Sequence, residues 1–162
     1  MSFADNYWNC DGTTEELRNQ FIRRYRANGA SSWTVDNNEE HTDRIVRDET
    51  NFVSGTGAMS VRPYSGSTNA VGLSLKNDFA EAKALKNIGF WVYNSSDTDI
   101  ALRTFVFKST GLTNHAEIGG LTAKANGWTY CRMGFDYSIY NFNISNWNGS
   151  ANALVFDDIV LF

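Results

Sequence analysis

A chain of 162 residues, 42% of them hydrophobic and 20% charged, fits one folded domain over residues 1–162. Its formal net charge of −4 and sequence pI near 5.1 argue against binding to a nucleic-acid backbone as the main task. No apolar run approaches the roughly 20 residues that a membrane span needs. We therefore expect neither a nucleic-acid nor a membrane partner.

The first periodic segment predicts a helix over about residues 14–28. Thr13 is a candidate N-cap, and Glu16 stands three residues later, as in a capping box. An apolar residue then recurs at every fourth position, at Leu17, Phe21 and Tyr25. The last turns carry Arg23, Arg24 and Arg26. Because the helix dipole favours cations there, we expect these arginines to form a solvated helix face and not an anion site.

After the helix, short apolar or alternating stretches are separated by turn residues such as "SGTG", "NSSDTD" and "KANG". The predicted strands are 32–35, 57–62, 70–75, 87–93, 100–108, 116–122, 128–135, 139–144 and 153–161. The charged stretch "NNEEHTDRIVRDETN" has no clear period and predicts an exposed connection. Many short strands after one early helix are typical of an all-β antiparallel sandwich or jelly roll.

Several of these stretches together resemble bacterial carbohydrate-binding modules of the β-jelly-roll type: "SGTGAMSVRPYSGS", "IGFWVYNSS", "DIALRTFVF", "GWTY" and "LVFDDIVLF". The resemblance covers about residues 30–162 and the first five residues, so the helix counts as an insertion. It implies an extracellular, monomeric, non-catalytic module that binds a plant cell-wall polysaccharide, such as β-glucan, xyloglucan or a related hemicellulose. Such a module targets an appended enzyme to that polysaccharide. The alternative is a receptor-binding or adhesin domain of a cell-surface or phage-tail protein.

The resemblance also implies a structural calcium ion. In many modules of this type the first Asp of the terminal pair is a calcium ligand, which here is Asp157, with Asp5 and backbone carbonyls completing the site. Calcium prefers oxygen ligands and would neutralise a carboxylate that burial penalises. The alternative is that Asp157 accepts hydrogen bonds from backbone amides without any metal. Strict alternation puts Asp157 on one face with Ile159, and Asp158 on the other with Phe156.

A jelly roll has two sheets, and the resemblance implies that one of them binds ligand on a concave face. Chain order assigns strands 57–62, 100–108, 116–122 and 139–144 to that sheet, and strands 87–93, 128–135 and 153–161 to the other. Aromatic rings pack on the C–H face of a pyranose, while amides and guanidinium groups hydrogen-bond its hydroxyls. The candidate carbohydrate-binding residues are Trp33, Arg62, Tyr64, Arg103, Phe105, Asn141, Asn143 and Trp147.

This face leaves the type of sugar open. A cleft of aromatic rings and amides suits a neutral β-linked polysaccharide, whereas Arg62 with Arg103 would instead accept uronic acids. Strand 100–108 is itself ambiguous in phase. Only if Leu102 and Val106 face the core do Arg103 and Phe105 line the concave face.

The phase of strand 87–93 puts Ile88, Phe90 and Val92 in the core and turns Trp91 and Tyr93 outward. The apolar stripe of the helix needs a surface to pack on. We expect Trp91 and Tyr93 to supply that surface, and an exposed sugar platform is the alternative.

The remaining reactive side chains do not indicate catalysis. Cys10 and Cys131 fit no metal or redox spacing, so two buried free thiols are expected, with a long-range disulfide as the alternative. The acidic groupings lack the alternating pattern that jelly-roll glycosidases carry on one strand. His41 and His115 lie in polar, loop-like stretches that indicate neither a metal site nor a triad.

Overall fold

A computed structural model describes residues 6–26, 34–35, 44–62, 70–112, 114–146 and 153–162. The elements are β1 (Tyr7–Trp8), α1 (Thr14–Gln20), β2 (Phe21–Arg26), β3 (Thr34–Val35), β4 (Ile45–Asp48), β5 (Ala58–Val61), β6 (Ala70–Leu75), β7 (Asn87–Asn94), β8 (Ile100–Phe107), β9 (His115–Ala123), β10 (Gly127–Gly134), β11 (Asn141–Asn146) and β12 (Leu154–Leu161). In this part of the chain no helix is long and apolar enough to cross a bilayer.

The strands form two antiparallel sheets of six strands each, which confirms the predicted β-sandwich. The first sheet has the order β10-β7-β12-β5-β4, with β1 paired to β12. The second sheet has the order β3-β2-β6-β11-β8-β9. All strands predicted from residue 57 onward are present, and their ends differ from the predicted ones by two residues at most.

The core lies between the sheets and is built from the inward positions of their central strands. Phe90 and Phe156 of the first sheet have ring centroids 5.9 Å apart, and both are buried. Phe142 and Ile144 of the second sheet are buried in the same cluster, as alternation along this strand predicts. Full burial of one such side chain stabilises the fold by about 1.5–3 kcal/mol.

Both cysteines belong to this core. Cys10 and Cys131 are buried free thiols, which confirms the expectation from their spacing. Burial raises the pKa of Cys131 to about 12 and also raises the pKa of Cys10. Neither thiol is therefore a ready thiolate nucleophile.

The helix begins where predicted but ends at Gln20. The Thr13 hydroxyl accepts a hydrogen bond from Glu16 N at 3.2 Å, and Thr13 N donates to Glu16 Oε1 at 3.4 Å, so the capping box is confirmed. Phe21 then takes an extended conformation, with φ −124° and ψ 155°, and pairs with Leu75. The prediction of helix to residue 28 was wrong, because β6 offers every residue from 21 to 26 a ladder partner.

The second half of the predicted connection is also structured. β4 pairs with β5, and Ile45 is buried in the core. Arg18 of α1 donates from Nε to the Ile45 carbonyl oxygen at 2.8 Å. The helix therefore lies against β4 and β2, not against β7. The expectation that the helix packs on Trp91 and Tyr93 was wrong.

The assignment of strands to sheets was largely correct. Strands 100–108, 116–122 and 139–144 lie together in the second sheet, and strands 87–93, 128–135 and 153–161 lie together in the first. Strand 57–62 was assigned to the wrong sheet, because β5 pairs with β4 and β12 in the first. Its expected place is taken by β6 and by β2, the strand that the sequence presents as helix.

A β-bulge interrupts the last strand at the acidic pair. Its register with β7 shifts by one residue between Asp157 and Val160, and Asp158 has a φ of 48°. Asp tolerates this left-handed conformation better than most side chains. The predicted strict alternation was therefore wrong, since Phe156 and Ile159 both point into the core.

We predict that Thr13→Ala lowers the free energy of unfolding by about 1 kcal/mol, because the short helix loses its N-cap acceptor. Chemical denaturation of both proteins measures the difference. Thr13→Ser keeps the hydroxyl and should stay near wild type. Equal losses in both variants would contradict a role for the hydroxyl.

Candidate functional site

The outward side of the second sheet is the candidate site, and we call it the outer face. It is formed by Arg24, Ser74, Arg103, Phe105, Phe107, His115, Glu117, Asn141 and Asn143. Leu102 and Val106 of β8 belong to the core, which turns Phe105 and Phe107 outward. Both rings are buried but lie outside the core cluster. This settles the phase that the sequence left open for β8.

The two phenylalanine rings lie beside cationic groups. The Cζ atom of Arg103 is 5.5 Å from the centroid of Phe105, and that of Arg24 is 5.7 Å from the centroid of Phe107. The ring of His115 packs edge-on to both, at 5.5 and 6.2 Å between centroids. The outer face therefore combines aromatic carbon with cation–π contacts.

Arg103 and Glu117 form a bidentate ion pair across β8 and β9. Arg103 donates from Nε to Oε1 at 3.0 Å and from Nη2 to Oε2 at 2.6 Å. The hydrogen bond holds the pKa of Glu117 below its usual range. A glycosidase acid needs a raised pKa, so Glu117 is a poor proton donor.

Asn141 uses its whole amide within the protein. Its Nδ2 donates to the Leu75 carbonyl at 2.9 Å and to Asp78 Oδ1 at 3.0 Å. Its Oδ1 accepts from Leu75 N at 3.1 Å and from Phe142 N at 2.8 Å. An asparagine amide makes four hydrogen bonds at most, so this one joins β11 to the end of β6.

Asn143 differs from Asn141 although both are completely buried. Its Oδ1 accepts a hydrogen bond from Ser74 Oγ at 3.2 Å, but its Nδ2 has no partner in the described part of the chain. A Cβ atom on Gly72 would lie 2.0 Å from Oδ1, so glycine is required beneath this amide. An unsatisfied buried donor costs about 1–3 kcal/mol, which a ligand acceptor would recover.

Arg24 is a candidate site residue that the sequence analysis placed on a solvated helix face, and that expectation was wrong because Arg24 is buried in a strand. Its side chain is 4% exposed, and its Nε is buried without an acceptor. Neither a hydrogen bond nor an ion pair joins its guanidinium to any described residue. Burial lowers its pKa, and the charge of Asp78 opposes this only in part. Arg24 pairs with Gly72 in register, which places it on the outer face beside Asn143.

The outer face brings together four of the predicted sugar-binding residues: Arg103, Phe105, Asn141 and Asn143. Arg62 follows β5 of the first sheet, where its carbonyl oxygen accepts a hydrogen bond from Arg23 Nη1 at 2.8 Å. Trp33, Tyr64 and Trp147 lie outside the described residues.

The predicted calcium ligand Asp157 is completely buried and accepts backbone hydrogen bonds. Its Oδ2 accepts from Val53 N at 2.7 Å and Ser54 N at 3.2 Å, and its Oδ1 accepts from Asp158 N at 2.9 Å. Burial raises the pKa of Asp157, and these donors oppose the rise. Three of about four lone-pair positions are thus occupied, which fits the amide-capping alternative better than direct calcium coordination.

In the described part of the chain, no further group of side chains around Asp157 forms a set of calcium ligands. Among the residues that the structure describes, no group of three or more acidic, histidine or cysteine side chains is placed to hold a metal ion. Asp158 accepts hydrogen bonds from the Tyr7 hydroxyl and, at 2.6 Å, from Ser54 Oγ. Asp5 lies outside the described residues, so calcium stays a prediction from the resemblance.

The outward side of the first sheet carries a second aromatic surface, the aromatic strip. Trp91 and Tyr130 have ring centroids 5.2 Å apart, and Tyr93 and Trp128 have centroids 5.4 Å apart. Tyr130 is 48% exposed. These rings pair with one another across β7 and β10, in place of the helix that the sequence suggested.

Comparison with known proteins identifies the fold. No family model and no curated protein matches the sequence. A xylan-binding domain from carbohydrate-binding module family 22 has a TM-score of 0.59 at 10% identity, over 96% of this chain and 94% of that one. A family 29 carbohydrate-binding module has a TM-score of 0.55 at 13% identity, over 96% and 89%. The K2 adhesin domain of Lys-gingipain has a TM-score of 0.56 at 10% identity, over 87% and 88%. The chain thus shares the β-sandwich fold of carbohydrate-binding modules.

We predict that Gly72→Ala lowers the free energy of unfolding by about 1–3 kcal/mol, because the new methyl group displaces the Asn143 amide. Gly127→Ala is the matched control, since nothing lies within 4 Å of its Cβ position. Thermal unfolding compares the two. A Gly72 variant as stable as the Gly127 variant would show that the amide is free to move.

We predict that Asp157→Ala lowers the free energy of unfolding by about 1–3 kcal/mol, because it leaves backbone amides without an acceptor. Asp157→Asn keeps an acceptor and should lose less. Because the folded-state pKa is raised, the stability of wild type relative to Asp157→Asn should fall as pH rises above about 4. Urea unfolding across pH measures both effects.

The same proteins test for calcium. With amide capping alone, calcium and EDTA leave the unfolding midpoint of wild type unchanged. A midpoint raised by calcium in wild type but not in Asp157→Ala would support the calcium site instead.

Proposed function

We propose that the chain is a non-catalytic carbohydrate-binding module whose outer face binds a plant cell-wall polysaccharide. The candidate ligands are β-glucan, xyloglucan or a related hemicellulose. One observation carries the proposal: Phe105 and Phe107 lie on this face beside Arg24 and Asn143, whose buried donors lack acceptors in the described structure. A pyranose offers oxygen acceptors to these donors, and the buried rings of Phe105 and Phe107 form the apolar layer beside them.

The shared fold supports this proposal. The similar structures include a xylan-binding domain and a module of family 29 whose ligand recognition has been probed. An extracellular location, a monomeric state and an appended enzyme belong to the same proposal. Holding an enzyme at its polysaccharide raises the effective substrate concentration without any chemistry in the module.

The state of the carboxylates supports binding without catalysis. Hydrolysis of a glycoside needs two carboxyl groups, one of which donates a proton. On the described outer face Glu117 is paired with Arg103, and Asp78 accepts hydrogen bonds from Asn141 and from Gly111 N. The ion pair holds the pKa of Glu117 below its usual range, so Glu117 is not poised as an acid.

The binding surface is built on paired strands, so we expect little backbone movement when sugar binds. β8 pairs with β9 from Ile100 to Phe107 and with β11 from Arg103 to Phe107. The ring positions are therefore set before the ligand arrives, which limits the entropy lost on binding. Trp33, Tyr64 and Trp147 remain part of the proposed site as predictions from the sequence.

We predict that a panel of glucans, xylans, mannans, xyloglucan and pectins contains at least one polymer that retards the protein in native affinity gels. Phe105→Ala and Arg103→Ala should each weaken binding to it about 5- to 10-fold, because the first removes the ring that supports the outer face and the second removes the cation that packs on this ring. Tyr130→Ala, on the opposite sheet, should bind as wild type does. Circular dichroism confirms that each variant is folded. Loss of binding in the Tyr130 variant alone would move the site to the aromatic strip.

The aromatic strip favours a second candidate function, an adhesin domain that binds a protein partner. Tyrosine and tryptophan are enriched in protein interfaces, and the exposed Tyr130 lies in this strip. An adhesin domain is also among the proteins that share the fold. This function would be supported if no polysaccharide retards the protein and if Tyr130→Ala abolishes binding to cells that wild type binds.

A further inference from the structure

The proposed function does not specify whether the polysaccharide is neutral or acidic. The burial of Arg24 and Asn143 on the outer face favours an acidic one. We infer that the ligand is an acidic polysaccharide, and that a uronic acid carboxylate binds to Arg24 with Asn143 beside it. This inference rests on the proposed function and names the substrate class of the same site.

The first argument is the state of Arg24. A guanidinium that is 4% exposed has lost most of its hydration, and no described residue replaces it with a hydrogen bond. Removing a charge from water without a partner costs several kcal/mol. The contact with the Phe107 ring recovers only part of this cost. A ligand anion would recover more, and the planar guanidinium fork matches the geometry of a carboxylate.

The second argument is that the two unsatisfied groups on the described outer face, Arg24 Nε and Asn143 Nδ2, are both donors. Arg24 pairs in register with Gly72, and the Asn143 amide lies over the same glycine. The Asn143 Oδ1 already accepts from Ser74, whereas its Nδ2 lacks an acceptor in the described chain. A carboxylate only accepts hydrogen bonds, while a hydroxyl also needs to donate one. The two donors therefore suit a carboxylate better than a neutral sugar hydroxyl.

The third argument is the local charge. The protein has a formal net charge of −4, yet this part of it is cationic. Burial and the charges of Arg26 and Lys108 lower the pKa of His115, which reports a positive potential at the edge of the outer face. Glu117 is already paired with Arg103, and Asp78 accepts hydrogen bonds from Asn141 and Gly111 N, so its charge opposes the effect of burial on Arg24 only in part. Arg103 is one of the two arginines that the sequence analysis suggested for uronic acids. Because it is paired with Glu117, its guanidinium is less available to a ligand than that of Arg24.

The test compares acidic polymers with neutral forms of the same backbone. Glucuronoxylan and polygalacturonate are each used before and after reduction of their carboxyl groups, with isothermal titration calorimetry on the whole chain. We expect wild type to bind at least one acidic polymer about 10-fold or more tightly than its reduced form, and to lose this preference as salt rises.

Variants of Arg24 locate the effect. Arg24→Gln should remove the preference for the acidic polymer, so that the acidic and the reduced polymer bind to this variant with affinities within about twofold of each other. Arg24→Lys keeps the charge without the fork and should retain only part of the preference. Arg132→Gln, on the first sheet, changes net charge equally and should bind as wild type does. Arg24→Gln should also unfold at the same or a higher temperature, because an uncompensated buried charge is gone.

A second variant keeps the test decisive if Arg24→Gln does not fold. Asn143→Asp places a carboxylate beside Arg24 and should weaken binding of the acidic polymer more than binding of the reduced one, which reverses the preference of wild type. Equal binding of acidic and reduced polymers by wild type would overturn this inference and leave the proposed function standing. No binding of any polymer in the wider panel would overturn the proposed function itself.

Discussion

The pairing of β2 with β6 is the contact on which the rest of the candidate site depends. It extends the second sheet beyond β6 and turns an arginine-rich segment into a strand. If this segment were a helix, Arg24 would lie on the solvated face of that helix. On β2 it lies opposite Gly72, beside Asn143 and over the ring of Phe107. The pairing of β2 with β6 thus places the Arg24 guanidinium in a buried position, where a charge lowers the stability of the fold.

Buried polar side chains differ in how fully the protein satisfies their hydrogen bonds. Asp157 lies in the largely apolar strand β12, yet its carboxylate accepts hydrogen bonds from three backbone amides. A bulge at Asp158 lets Phe156 and Ile159 both reach the core. Asn141 is also fully hydrogen-bonded. On the described outer face, comparable burial leaves the donors Arg24 Nε and Asn143 Nδ2 without acceptors. Unsatisfied buried donors lower stability, which is why the proposed function gives these two a ligand acceptor.

The two outward surfaces also differ in chemistry. The aromatic strip on the first sheet consists of rings that pack against one another and expose a tyrosine. The outer face on the second sheet mixes rings with cations and amides. A mixed surface can orient a sugar through hydrogen bonds, whereas rings alone bind with less direction. This contrast is the reason why we propose a sugar site on the second sheet and give the first sheet to a protein partner in the second candidate function.

The sequence by itself determined the features that depend on neighbouring residues. The capping box at Thr13, the strands from residue 57 onward and the inward phase of Phe142 and Ile144 all follow from local spacing and turn chemistry. Only the tertiary structure decided that residues 21–26 form a strand, that β5 joins the first sheet and that β12 contains a bulge. Leu17 and Phe21 are four residues apart and both are buried. This spacing is equally consistent with a helix that continues through Phe21, so it does not reveal where the helix ends. Strand pairing across tens of residues outweighs such local preferences, because each ladder bond depends on a partner that no local pattern reveals.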